Sequence, residues 1–128
     1  MKRARSFWTQ AAQTSIIVVD NYIGLGTLDC LREVSFPVQL LTGTGDAATE
    51  KDFARHLKEF TAEGREIEVR RHPKLHDRYI ILNGRCWLIG SSLKDAGKKT
   101  FSMIEVTDTY EIIKKDVGDK WRESTPFL

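Results

Sequence analysis

His76 is followed by Arg78 and then by Gly90, Ser91 and Ser92, residue types that together can do chemistry on a phosphate ester. A neutral imidazole can attack phosphorus as a nucleophile and form a phosphohistidine, while a second histidine, protonated, gives its proton to the departing alkoxide. One chain offers one such histidine. Arg78 lies two residues further along; on an extended strand it shares a face with His76, so its guanidinium can hold phosphate oxygens in a two-pronged grip. A hydroxyl of Ser91 or Ser92 and the backbone N–H groups after Gly90 can complete a cradle for the same group, with Lys94 close by in sequence. No step of this scheme calls for a metal or a cofactor.

The register is specific. Counted from His76, Arg78 falls at +2, Asn83 at +7, Gly90 at +14 and Ser91 at +15. This resembles the phospholipase D superfamily, whose motif carries His, then Lys, Asp and Gly-Ser at those same offsets; every register position is kept and two residue types differ. The wider run LHDRYIILNGRCWLIGSSLKDAGKK, with DNYIGLGTLDCL upstream, is similar to a bacterial and phage branch of phospholipase-D-like domains. In that branch Arg commonly replaces the Lys, and the domain often sits behind a phage regulator or another module. The resemblance spans about residues 15–105. It implies a metal-independent phosphodiesterase working through a phosphohistidine, with a site built from two motifs about a pseudo-twofold axis. With one motif per chain, a twofold-symmetric homodimer is implied. It further implies that Glu105, 29 residues beyond His76, orients the histidine and stabilises its charged form. Asp77 fits that role less well, since the neighbouring residue on a strand faces the other way.

Two positions depart from the pattern. The family usually has Asp where this chain has Asn83, counted here with the phosphate-binding set. Asn-Gly and Asp-Gly both serve a type I′ hairpin turn, so if the Asp is a turn former the chemistry survives, and if its charge tunes catalysis the chain is weak or inactive. Leu93 replaces an Asn that often follows the Gly-Ser pair, which weakens the cradle. Lys94, Lys98 and Lys99 read as solvated charge or, beside a phosphate site, as contacts to a nucleic-acid backbone. Two functions remain in view: a nuclease-like phosphodiesterase, or a catalytically impaired module that binds phosphate or nucleic acid or dimerises a regulator.

The elements that must position these residues are legible as alternating strands and helices. Residues 15–22 (SIIVVDNY) and 37–42 (PVQLLT) read as buried strands with Asp20 at the polar exit of the first, and Leu25, Leu28 and Leu31 mark a short helix between them with Thr27 as its cap. Gly43, Thr44, Gly45 and Asp46 form a loop before a helix over 49–63, where Phe53, Leu57 and Phe60 share a face and Gly64 stops it. Residues 67–71 make a strand, and Asn83-Gly84 between 79–82 and 85–89 signals a hairpin. A further strand is expected over 100–106 and a closing helix over 108–121, with Tyr110, Ile113 and Val117 on one face. The expected architecture is α/β: a mixed β-sheet flanked by helices, one phospholipase-D-like domain over 1–128, with 1–14 as an N-terminal extension.

Bulk properties agree with one core. The chain has 128 residues, 41% of them hydrophobic, enough for one domain. Its net charge of +2 says little about an acidic partner, but between Gly64 and Lys99 nine basic residues face four acidic ones, a local excess of five. That excess favours nucleic acid over lipid. Cys30 and Cys86, far apart among apolar neighbours, read as reduced core residues, which points to a cytoplasmic setting. The start, MKRARSFWTQAAQTS, lacks the apolar run of a signal peptide, and no segment approaches the roughly 20 apolar residues of a membrane span. Trp87 and Trp121 read as core or interface, and His56 and His72 as structural or exposed.

Overall fold

The computed structural model describes residues 15–22, 24–43, 45–90 and 102–128. The β-branched run IIVVD forms β1 (Ile16–Asp20), where Val18 and Val19 point to opposite faces and are both buried, as in a strand covered on both sides. Parallel neighbours need a crossover, and two are made here. Helix α1 (Leu25–Leu31) leads to β2 (Val38–Thr42), and α2 (Ala47–Ala62) leads from there to β3 (Ile67–Arg71), each strand parallel to the one before. The chain then crosses to the far side of β1. There β4 (Tyr79–Leu82), β5 (Arg85–Ile89) and β6 (Met103–Val106) run antiparallel in turn. Helix α3 (Tyr110–Glu123) and a two-residue strand β7 (Thr125–Pro126), paired antiparallel with β3, finish it. The sheet order is β6-β5-β4-β1-β2-β3-β7, a mixed seven-stranded α/β arrangement.

Helices cover both faces. Leu28 and Leu31 of α1 and Phe53, Leu57 and Phe60 of α2 pack over Val18, Leu40 and Val69 on one face. On the other, Val117 of α3 is buried with Val19, Leu41, Leu75, Ile81 and Cys86, and Ile113 and Trp121 pack beside it. Asp46 caps α2 by accepting the Thr49 N–H at 2.9 Å, and Gly64 follows its last turn at φ 88°. After β7 the chain folds Phe127 into the first core, edge-on to Phe53 at 5.2 Å between ring centres.

Three expectations change. Helix α1 starts at Leu25 behind Gly24, so Thr27 lies inside its first turn, fully buried, and does not cap it. Its hydroxyl has no hydrogen-bond partner among the described residues. Helix α2 begins two residues before the expected start because Asp46 provides the cap. Strand β7 was not foreseen. Cys30, on α1, packs against the first core and Cys86, on β5, lies in the second, on opposite faces of the sheet; both are free thiols whose pKa is raised by burial.

Strand directions fix where chemistry can gather. Strands β1, β2 and β3 end at one edge of the sheet; β4, antiparallel to β1, begins at that edge, and β5 ends there. Asp20, Thr42, His72, His76, Arg78 and Gly90 therefore share the carboxyl edge of the parallel strands, the edge where open α/β sheets bind ligands. The Asn83-Gly84 turn is at the opposite edge.

Candidate phosphate site

The connection from β3 to β4 carries His76. His72 extends the β2–β3 ladder by giving its N–H to the Thr42 carbonyl at 2.9 Å, and Leu75 is buried in the core beneath α3. Between these anchors and β4, His76 is left exposed, with no hydrogen bond to its ring among the described residues. The hairpin ladder reaches past β4, since Ile89 donates its N–H to the Arg78 carbonyl at 3.0 Å. Arg78 is thereby held extended and half-buried beside the end of β5.

Arg78 turns its guanidinium over that end. Nη2 donates to the Gly90 carbonyl at 3.0 Å, while Nε is buried with no partner among the described residues. Gly90 in turn donates its N–H to the Ser102 carbonyl at 2.9 Å. A Cβ at Gly90 would stand 2.4 Å from Ser102 Oγ, so any side chain there would make the Ser102 hydroxyl turn away. The result is a pocket of about 200 Å³ lined by His76, Arg78, Ile89, Gly90, Ser102 and Ile104. His76 and Arg78 thus meet at one concavity, from the connection before β4 rather than from one face of a strand. Ser102 was missed: it sat inside a run read only as strand, and nothing in its neighbours marks it.

Acidic groups are arranged differently from the expectation. Glu105 sits on β6 opposite Trp87, two strands from β4, and both its oxygens are engaged by Arg85, Nε at 2.8 Å and Nη2 at 2.7 Å. The Arg85 hydrogen bonds hold the Glu105 carboxyl below its ordinary pKa and raise that of Arg85. Within one chain Glu105 does not orient His76; its place on the sheet gives it to the neighbouring arginine. Asp77 also lines the pocket, with its carboxylate accepting the Tyr79 hydroxyl at 3.1 Å; burial, with this bond second, pushes the Tyr79 pKa up to about 12. A further carboxylate at this edge of the sheet is Asp20. It ends β1 one residue beyond the Val19–Tyr79 pair, is fully buried, and accepts the Tyr22 N–H at 3.1 Å.

Asn83 is also displaced from the phosphate-binding set. It occupies the hairpin turn with φ 52°, followed by Gly84 at φ 75°. At about 3.3 Å per residue, the five residues from Arg78 put it roughly 16 Å along the strand from the guanidinium. Ser91, Ser92, Lys94 and the Leu93 departure lie outside the described residues, as do Lys98 and Lys99.

Among the described residues no group of three or more His, Cys, Asp or Glu side chains could hold a metal ion, and no helix is long and apolar enough to cross a membrane. No protein-family model matches the chain, and no curated protein does. Among solved structures it is similar to TrmBL2, an archaeal chromatin protein whose structure is described as showing a novel mode of DNA binding. The TM-score is 0.56 at 14% sequence identity, over 98% of this chain and 49% of that one. The chain thus spans about half the length of that protein, and at this identity the likeness is one of fold.

Proposed function

We propose that this domain is a phospholipase-D-type half-site, a metal-independent phosphodiesterase acting on nucleic acid and completed by a second copy of the chain. The observation that carries it is the meeting of His76, Arg78 and the Gly90 end of β5 at one pocket on the carboxyl edge of the sheet. A phosphodiester seated against Arg78 presents its phosphorus to His76. The imidazole nitrogen bonds to phosphorus as the bond to the leaving oxygen breaks, and that oxygen takes a proton from His76 of the partner subunit. Water, giving its proton back to that second imidazole, then cleaves the phosphohistidine. Guanidinium contacts to the equatorial oxygens stabilise the charge that builds in both steps. DNA binding by the fold neighbour supports nucleic acid as the substrate class.

The test is hydrolysis of a nucleic-acid phosphodiester in EDTA by the wild type and His76→Ala. Loss of turnover in the variant is expected; equal turnover contradicts the proposal. One observation favours a second reading. With Glu105 committed to Arg85, His76 lacks a carboxylate partner among the described residues, as suits a module that binds phosphate without turning it over. Binding of an oligonucleotide with no hydrolysis by the wild type would select that reading.

A further inference from the structure

His72, the residue after β3, is almost closed off from solvent, at 5% exposure, and both its ring nitrogens are occupied. Nδ1 accepts the backbone N–H of Lys74 at 3.0 Å. A ring nitrogen that accepts carries no proton, so the imidazole is held in the tautomer with its hydrogen on Nε2. Nε2 lies 3.0 Å from Oε1 of Glu123, the last residue of α3. Two residues earlier, Arg70 reaches the same helix end, Nε to Ser124 Oγ and Nη2 to the Ser124 carbonyl, both at 2.7 Å, with its guanidinium 5.6 Å from the Trp121 ring centre. Pro73, between His72 and Lys74, has no N–H, so the Lys74 amide is the first backbone donor after His72. The bond from it closes a tight bend. Leu75 is buried next, and His76 emerges at the pocket.

We propose that His72 is a positioning residue for His76. By accepting the Lys74 N–H, Nδ1 sets the bend through Pro73 that presents His76 to the pocket, and Glu123 fixes the tautomer that makes this possible. The role rests on His76 as the phosphate-directed residue and adds to it a histidine that no phosphate touches. It also ties the pocket to the end of α3.

Asparagine and glutamine separate the two bonds. In His72→Asn the amide oxygen takes the place of Nδ1, keeping the Lys74 bond and losing Glu123. In His72→Gln the amide nitrogen takes the place of Nε2, keeping Glu123 and losing Lys74. On the full chain, NMR gives the exchange rate of the Lys74 amide, and titration with inorganic phosphate gives the affinity read at the His76 ring signals. His72→Gln should speed Lys74 exchange and weaken phosphate binding, each about tenfold, while His72→Asn stays within about twofold of wild type. Equal effects in the two variants, or a larger effect in His72→Asn, overturn the proposal. Should His72→Gln fail to fold, Glu123→Ala, at a residue 65% exposed, replaces it. Faster Lys74 exchange in that variant supports the role and an unchanged rate overturns it. If phosphate leaves the His76 signals of the wild type unmoved, the phosphate reading falls, and the Lys74 rates still decide the part played by His72.

Discussion

Arg78 presents a buried Nε without a partner among the described residues, beside an Nη2 already bonded to the Gly90 carbonyl. A group in that state gains from a ligand oxygen, because a buried N–H left unbonded costs about 1–3 kcal/mol. Lysine has the charge and lacks the planar fork. Arg78→Lys is therefore expected to weaken phosphate binding about tenfold, or about 1.4 kcal/mol, in a calorimetric titration, and an unchanged affinity would contradict the grip described. Glu105 gives the opposite expectation. Its carboxyl is held below its ordinary pKa by Arg85, so the pair adds stability above the unfolded-state pKa of a glutamate and loses it as pH falls through the lowered folded value. Glu105→Gln should thus be less stable than wild type near neutrality, with the gap closing in acid, and its phosphate affinity should match wild type at every pH. A shifted affinity profile would return Glu105 to the site.

At the level of elements, the Asn83-Gly84 turn separates fold from chemistry. Both residues have positive φ, which Asp and Asn tolerate and alanine resists. Asn83→Asp should change stability by no more than about 0.5 kcal/mol and leave phosphate affinity unaltered, whereas Asn83→Ala should cost about 1 kcal/mol in a denaturant melt. Restored or raised turnover in Asn83→Asp would show that charge at the turn reaches the site after all. This turn was plain in the sequence because two strand-like runs flanked an Asn-Gly pair, and α2 was plain because Phe53, Leu57 and Phe60 recur at helical spacing. His76 and Arg78 were legible for a similar reason: their partnership is local, two residues apart in the connection that leads into β4, although a bend at Asp77 keeps them off the strand itself. Glu105 was misread because distance along the chain does not say which strand neighbour claims a carboxylate; Arg85, across β5 and β6, did. The burial of His72 depends on the return of α3 some fifty residues later, and β7 is too short, with a proline in it, to show any period.

At the scale of the whole molecule, one sheet with both faces covered delivers one exposed histidine, His76, and Arg78 to one pocket at its edge. Two-histidine chemistry then requires two copies, and the requirement can be counted. If each productive site needs His76 from both chains, only dimers of two wild-type chains turn over. The decisive measurement mixes wild type with His76→Ala at fixed total protein, allows the subunits to exchange, and follows phosphodiester hydrolysis in EDTA. Activity should fall as the square of the wild-type fraction, to about a quarter of the undiluted value in an equal mixture. A linear fall, to about one half, would mean that each chain acts alone and would contradict the shared half-site.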